Sequence, residues 1–210
     1  MKIAAIAGRY GKPSPSCTVL PEWTWIETVE EMLHHRDADL FIDLGFTPDK
    51  KRIDMLGQLS APVLIDSDIV TLQDIGRSFI RINAWPGWLE REVQELAVAS
   101  EESAGRIKTV FEALGWKYRI VPDVPGMVSS RIVATIINEA WHTLQEEVST
   151  EDEIDAAMRL GTNYPFGPFE WCKKIGSERV HRLLMALSEK EPRYRPAEAF
   201  SKAIKKLKID

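Results

Sequence analysis

The feature that most constrains the fold is a stretch of helix signals between residues 121 and 176. It opens with the turn Asp123-Val124-Pro125-Gly126, since a Pro-Gly pair interrupts regular structure. A helix is predicted from residue 131 to about residue 147, capped by Ser129 or Ser130. Its apolar residues cover most of the helix circumference, which is typical of a buried helix rather than a surface one.

Two further helices are predicted in the same stretch. Thr150 and Glu153 have the spacing of a capping box, and Gly161 is expected to end that helix in the left-handed conformation. Pro168 suits the first position of a third helix, and Gly176 is expected to end it. The second half of the chain is therefore predicted to be helical.

Upstream of this stretch, short apolar runs alternate with helical patterns. Strands are predicted at residues 2–8, 18–20, 39–44, 62–65, 78–83 and 117–121, and helices at 25–35, 47–59 and 100–114. Strands that alternate with helices predict a mostly parallel sheet. The chain is therefore expected to contain an α/β domain at residues 1–121 and a helical domain at residues 122–210.

Four motifs near the start of the helical part resemble the C-terminal domain of the 3-hydroxyacyl-CoA dehydrogenases. They are Asp123-x-Pro125-Gly126-Met127-Val128-x-x-Arg131, Asn138-Glu139-Ala140, Asp155-x-Ala157-Met158-x-x-Gly161 and Asn163-Tyr164-Pro165-x-Gly167-Pro168-x-Glu170. The resemblance implies a truncated Rossmann-like sheet followed by an all-α helical domain of the 6-phosphogluconate-dehydrogenase-like type. It also implies a role in fatty acid and acyl-CoA metabolism, a homodimer formed through the helical domain, and one wall of an acyl-CoA site in that domain.

The same resemblance implies NAD as a cofactor, but the usual binding motif is missing. In a dinucleotide-binding fold, G-x-G-x-x-G follows the first strand and leads into a helix whose N-terminus holds the pyrophosphate. Here the strand at 2–8 is followed by a segment that contains Pro13 and Pro15, and no two of the twelve glycines stand two residues apart. Gly8 and Gly11 are interpreted as loop residues. We therefore expect no NAD-binding residues and no bound cofactor.

The family's reaction requires a histidine that takes a proton and a glutamate that orients it. A gapless count back from residues 113–115 places Glu92 at the glutamate and Ile80 at the histidine. No histidine lies anywhere between His35 and His142. Glu92 is therefore either a catalytic acid that has lost its partner or an ordinary solvated residue.

Three further polar positions follow from the same resemblance. Asn83 falls on the family's asparagine, Ser67 lies near its serine, and Ser130 replaces a second asparagine. All three are predicted to lie near a substrate. Asp66 and Asp68 could hold a metal ion, but two acids after a strand are more commonly turn residues, so no metal is predicted.

Composition excludes some classes of function. A net charge of -5 gives no reason to expect nucleic acid, and no apolar run is long enough to predict a membrane span. Cys17 and Cys172 form no disulfide or metal pattern, which favours a reducing cytoplasm.

Three functions remain open from the sequence. We favour a non-catalytic, dimeric protein that binds an acyl-CoA-type molecule or acts as a scaffold, because the phosphate-binding motif and the histidine are both missing. The second is an active NAD-dependent 3-hydroxyacyl-CoA (3-hydroxybutyryl-CoA) dehydrogenase. The third is a different enzyme that uses Glu92, Asp66 or Asp68 in the former cleft.

Overall fold

A computed structural model describes residues 1–13 and 19–207. The chain forms two compact units, Met1–Met127 and Val128–Asp210. The division lies six residues beyond the expected boundary because the segment after the last strand is held by the first unit. Within that segment, Gly126 donates its backbone N–H to the carbonyl oxygen of Asp68 at 2.6 Å, and Asp123 pairs with Arg81.

The described residues of the first unit form one seven-stranded sheet. Its strands are β1 (Lys2–Ile6), β2 (Glu22–Ile26), β3 (Leu40–Asp43), β4 (Val63–Asp66), β5 (Ile80–Ile82), β6 (Val93–Val98) and β7 (Lys117–Ile120). Their order in the sheet is β2-β1-β3-β4-β5-β6-β7, and only the β5–β6 pair is antiparallel. The predicted α/β class with a mostly parallel sheet is confirmed.

Helices pack on both faces of this sheet, which explains why its central strands are almost wholly apolar. One face is covered by α1 (Val29–Met32), α2 (Lys50–Leu56) and α3 (Leu72–Ile75). The other is covered by α4 (Glu101–Leu114), which Ser100 caps through its side chain. The chain passes from β1 to β2 on one side and returns to β3 on the other, so the strand order reverses beside β1.

Three predictions for the first unit are wrong or cannot be assessed. Residues 25–35 are not one helix, because β2 pairs in parallel with β1 and only Val29–Met32 is helical. Strand β6 was not predicted, since its mixed pattern of apolar and polar residues resembles a turn followed by a loop. Of the strand predicted at 18–20, Thr18 lies outside the described residues, and Val19 and Leu20 belong to no strand.

The described residues of the second unit are helical, as predicted. They form α5 (Ser129–Gln145), α6 (Glu151–Thr162), α7 (Pro168–Ile175), α8 (Ser177–Ser188), a 3-10 turn (Pro192–Tyr194) and α9 (Glu198–Leu207). The capping box formed by Thr150 and Glu153 is confirmed, and so is Pro168 as the first residue of its helix.

Two predicted helix ends are wrong. Neither Ser129 nor Ser130 caps α5, because Val128 already has helical backbone angles and both serines lie within the first turn. Helix α6 continues through Gly161, and Asn163 takes the left-handed position with φ 56°. Asparagine tolerates that conformation better than most residues, so the glycine was not needed there.

Candidate functional site

A cavity of about 160 Å³ lies at the carboxyl edge of the sheet in the first unit. Four segments surround it: the loop after β1, the end of β3, the end of β4 and the loop after β5. Its walls are formed by Gly8, Tyr10, Gly11, Lys12, Pro13, Leu44, Asp66, Ala84, Trp85, Pro86, Gly87, Leu89 and Glu90. Ligands of open α/β sheets commonly bind at this edge, where the strand order reverses.

The loop after β1 makes a tight turn rather than a helix start. Gly11 donates its backbone N–H to the carbonyl oxygen of Gly8 at 3.0 Å and has a φ of 83°. A Cβ atom on Gly8 would lie only 2.6 Å from the carbonyl oxygen of Leu44. Gly8 therefore serves to bring the loop against the end of β3.

This geometry does not fit the pyrophosphate of NAD. In a dinucleotide-binding loop, the absence of Cβ atoms lets the phosphates approach the backbone, and a helix N-terminus faces them. Here the loop closes on itself through the hydrogen bond from Gly11 to Gly8. In the described parts of the β1–β2 connection, residues 7–13 and 19–21, no helix begins.

The acidic residue at the end of β3 is used to hold the fold. Asp43 is fully buried, and Arg52 donates to it twice, from Nε at 2.7 Å and from Nη2 at 2.6 Å. The hydrogen bond to Asp43 raises the pKa of Arg52. The backbone N–H of Gly45 donates to the same carboxylate at 3.1 Å. Asp43 is therefore committed to an ion pair.

Asp66 and Asp68 follow β4 and accept hydrogen bonds from the loop after β5. Asp66 Oδ1 accepts from the backbone N–H of Ala84 at 3.1 Å. Asp68 Oδ2 accepts from the indole N–H of Trp85, also at 3.1 Å. Asp66 lines the cavity, whereas Asp68 does not. In the described ranges of the chain, no group of three or more His, Cys, Asp or Glu side chains could hold a metal ion.

Ser67 and Asn83 are brought together at the ends of β4 and β5. The two strands pair with Asp66 opposite Ile82, which places Ser67 and Asn83 one residue further along. Ser67 Oγ donates to the carbonyl oxygen of Val70 at 2.7 Å, and Asn83 Oδ1 accepts from the backbone N–H of Trp85 at 3.2 Å. The buried Nδ2 of Asn83 has no hydrogen-bond partner within the described residues.

Ile80 and Glu92, in contrast, are kept apart. Ile80 is a buried core residue at the start of β5, opposite Val98. Glu92 comes directly before the other end of β6, six residues before Val98. Six residues of strand span roughly 20 Å at about 3.3 Å per residue. Its side chain is exposed, and the hydrogen bond and charge of Lys117 lower the pKa of its carboxyl group. Glu92 is therefore a solvated partner of Lys117.

Ser130 belongs to the second unit. It lies in the first turn of α5, is completely buried, and its Oγ atom has no hydrogen-bond partner in the part of the chain that the structure describes.

Sequence reasoning missed a buried arginine at this edge of the sheet. Arg81 is fully buried and donates from Nε to the carbonyl oxygen of Ser67 at 3.1 Å. Its Nη1 forms an ion pair with Asp123, whose other oxygen accepts from the backbone N–H of Leu72 at 2.8 Å and of Gln73 at 3.3 Å. The signal was an arginine between two isoleucines in a short apolar strand.

The motif residues of the second unit also have structural roles. Asn138 donates to the carbonyl oxygen of Arg195 at 3.0 Å and accepts from the backbone N–H of Ala197 at 2.9 Å. Asp155 accepts from the first turn of α7, at Phe169 and Glu170. A Cβ atom on Gly167 would clash with Asp155. These motifs therefore identify a fold rather than a catalytic group.

The second unit carries an apolar groove of about 400 Å³ between α5 and α6. Its walls are formed by Ile136, Glu139, Ala140, Thr143, Ser149, Glu153, Ile154, Ala157, Met158 and Pro168. Next to it on α5, Ile132 is 54% exposed. In the ranges 1–13 and 19–207, none of the helices has the length and apolar character needed to cross a membrane.

Comparison with known proteins points in one direction. Residues 126–210 match the family described as 3-hydroxyacyl-CoA dehydrogenase, C-terminal domain. Over 160 residues the chain is 36% identical to a 3-hydroxyadipyl-CoA dehydrogenase of Escherichia coli K12, covering 72% of this chain and 34% of that protein. Over 189 residues it is 29% identical to a 3-hydroxybutyryl-CoA dehydrogenase of Bradyrhizobium diazoefficiens, covering 81% of this chain and 64% of that protein.

A solved structure shows the same fold. The (S)-3-hydroxybutyryl-CoA dehydrogenase of Ralstonia eutropha superposes with a TM-score of 0.72 at 21% identity, covering 87% of this chain and 69% of that chain. At that identity the likeness concerns the fold alone. The chain spans about a third of the E. coli relative and less than two thirds of the Bradyrhizobium one.

Proposed function

We propose that this chain, whose residues 126–210 match the C-terminal domain of the 3-hydroxyacyl-CoA dehydrogenase family, is a protein of fatty acid or acyl-CoA metabolism without dehydrogenase activity. In this proposal it is a dimeric protein that binds an acyl-CoA-type molecule or acts as a scaffold. The relatives named above are dehydrogenases. In this proposal the chain shares their ancestry but does not catalyse their reaction.

The observation that carries the proposal is the turn after β1, which is closed by the hydrogen bond from Gly11 to Gly8 and leads into no helix within the described residues 7–13. Hydride transfer by this family needs NAD, and NAD needs a backbone cradle for its pyrophosphate. In the described residues of this loop, no helix N-terminus is present to face a pyrophosphate. A ligand that places no pyrophosphate at the loop after β1 can still bind.

The absence of a base supports the same conclusion. A hydride leaves a carbinol carbon only as its hydroxyl proton is removed, which requires a group that titrates near neutral pH. Ile80 has no such group, and Glu92 is exposed and paired with Lys117. The alternative of a different enzyme that uses Glu92 is disfavoured by that ion pair.

Two calorimetric titrations test this proposal. We expect NADH to give no binding heat at millimolar concentration and acetoacetyl-CoA to bind. We also expect no measurable NADH-dependent reduction of acetoacetyl-CoA, because loss of a general base alone costs about 10² to 10⁴-fold in rate. Micromolar binding of NADH, or turnover near ~1 s⁻¹, which is ordinary for an enzyme, would overturn the proposal.

Self-association is proposed through the exposed apolar face of α5. Ile132 is largely exposed and Ile136 forms part of the groove between α5 and α6. Burying a large aliphatic side chain contributes about 1.5–3 kcal/mol, so covering this face favours association. Pairing of identical surfaces about a two-fold axis is the commonest solution.

The dimer is tested at Ile132 rather than at Ile137. Ile137 is completely buried within the second unit, so an aspartate there would unfold the unit whatever its oligomeric state. We expect light scattering to give twice the 23.9 kDa chain mass for the native protein and for Arg182→Asp, an exposed control on α8. Ile132→Asp should give the monomer mass. A native protein of monomer mass at micromolar concentration would refute the dimer.

A further inference from the structure

The groove between α5 and α6 combines apolar walls with acidic side chains. We propose that this groove binds a basic amphipathic helix of a partner protein. The interaction is independent of the acyl-CoA proposal, because every residue that carries it lies within the second unit. The length of the groove, the apolar side chains that line it and the charges around it all favour such a partner.

The groove has the length of about two helical turns. On α5 it is lined by a stripe of residues at helical spacing, which runs from Ile136 through Glu139 and Ala140 to Thr143. Seven steps along a helix rise about 10 Å at about 1.5 Å per residue. A helix that lies in a groove presents anchoring side chains at spacings of three, four and seven residues. Two turns of such a helix therefore match the groove.

The apolar side chains of the groove are partly open to solvent. Ile136 on α5 and Met158 on α6 are half-buried, and Ala157 is exposed. Covering apolar surface contributes about 25 cal/mol per Å². An exposed apolar patch with polar residues at its rim is typical of a protein interaction site. The groove therefore suits the apolar face of a partner helix.

The charged side chains that line the groove are negative. Glu139 on α5 and Glu153 on α6 are both exposed, and the described residues that line the groove include no Lys, Arg or His. Hydrogen bonds from Ser149 and Thr150 lower the pKa of Glu153, so its carboxylate stays ionised at neutral pH. The groove therefore offers a partner two carboxylates and no cation.

The surroundings of the groove have the same sign of charge. The connection from α5 to α6, residues 146–153, carries five acidic side chains and no basic one. The basic side chain of Arg159 on α6 pairs with Glu170 at 3.0 Å. The basic side chain of Lys173 on α7 pairs with Glu151 at 3.3 Å. A basic partner therefore meets complementary charge on this side of the second unit.

The charges also distinguish a partner protein from a second copy of this chain. Residues 129–176, which form α5, α6 and α7, contain eight acidic and four basic side chains, so these helices of a second copy would bring like charge to the groove. The basic helix α9 is amphipathic, but its apolar residues Phe200 and Ile204 are already buried. The self-association proposed above is tested at Ile132, which does not line the groove.

Fluorescence anisotropy with three labelled peptides tests the proposal. The first peptide has about 18 residues, long enough to form a helix, with leucine along one face and lysine and alanine elsewhere. The second has glutamate in place of lysine, and the third has the composition of the first in an order that spreads leucine around the helix. We expect the first peptide to bind at least about ten-fold more tightly than either of the others, because only it combines complementary charge with an apolar face.

Variants of the two sides of the groove locate the binding. Met158→Ser removes an apolar contact and Glu139→Gln removes a negative charge, so each should weaken binding of the first peptide at least about three-fold. The matched controls are Met185→Ser and Glu189→Gln, which change exposed residues of the α8 region that do not line the groove. Each control should leave binding within about two-fold, because solvent screens distant charges. If Met158→Ser fails to fold, Glu139→Gln and its control decide the question.

Four results would overturn the proposal. They are equal binding of the basic and acidic peptides, no binding of the basic peptide at submillimolar concentration, unchanged binding in the groove variants, and an equal loss of binding in the α8 controls. Binding that develops only when the protein is diluted to monomer would assign the groove to a second copy and would overturn the proposal as well.

Discussion

Replacing Arg81 with Met tests whether the buried ion pair with Asp123 anchors the segment that follows β7. The side chain of Arg81 is 0% exposed, and methionine preserves most of its apolar stem. The change would leave the carboxylate of Asp123, which is 19% exposed, without its guanidinium partner. It would also leave the carbonyl oxygen of Ser67 without the Arg81 donor. Removing one partner of a buried pair typically costs about 3–5 kcal/mol.

That loss is large enough to measure by unfolding. For a chain of this size each kcal/mol lowers the melting temperature by about 2–4 °C, so we expect a decrease of roughly 6–20 °C for the first unit. Urea denaturation should be followed by tryptophan fluorescence and by hydrogen exchange at α3, because Asp123 accepts from the first backbone N–H groups of that helix. Exchange in α3 should accelerate before exchange in the helices of the second unit.

A surface ion pair of the same unit provides the control. Arg77 and Asp54 are paired at 2.7 Å with side chains 45% and 47% exposed. Arg77→Met should cost no more than about 1 kcal/mol, because solvent weakens exposed pairs. Adding Asp123→Asn to Arg81→Met should cost less than the sum of the single changes, since it removes the unpaired charge. If Arg81→Met were no more harmful than Arg77→Met, the anchoring role would be refuted.

Three further outcomes are expected. Gly167→Ala should lower the free energy of unfolding of the second unit by about 2 kcal/mol in urea, because the new methyl group displaces the Asp155 carboxylate from two backbone N–H groups. The control is Gly161→Ala, which adds a methyl group in open space within α6 and should be neutral or stabilising. Ile80→His should not create NADH-dependent reduction of acetoacetyl-CoA, because the new imidazole enters an apolar cluster at the opposite end of β6 from Glu92. Absorbance measures this reduction, and measurable turnover would contradict the prediction. Burial raises the pKa of the Cys172 thiol, so we expect this thiol to be alkylated slowly until urea unfolds the protein. Peptide mass spectrometry measures the alkylation, and fast labelling of the native protein would contradict the burial.

The candidate site shows how much the residue types alone can predict about a site. Asn83 and Ser67 were each predicted to lie near a substrate, and they lie side by side because each follows a strand and neighbouring parallel strands end at one edge. The resemblance placed Glu92 and Ile80 at the family's glutamate and histidine positions by a gapless count. They are separated because β6 runs antiparallel to β5, and a gapless count along the chain contains no information on strand direction.

Local signals determined most of the helical elements. Ser100 as the cap of α4, the capping box of α6 and Pro168 at the start of α7 depend on bonds within three or four residues, so the sequence alone was sufficient. The parallel α/β class followed from the alternation of apolar runs with helical patterns. These features need no knowledge of distant partners.

Long-range pairing decided the rest. Strand β2 exists because it pairs with β1, twenty residues earlier, and strand propensity reflects such neighbours more than the strand's own residues. Arg81 and Asp123 are 42 positions apart, and the walls of the cavity at the carboxyl edge of the sheet come from four separate segments. A sequence lists which side chains are present, but only the packed sheet brings residues from distant segments around one enclosed space.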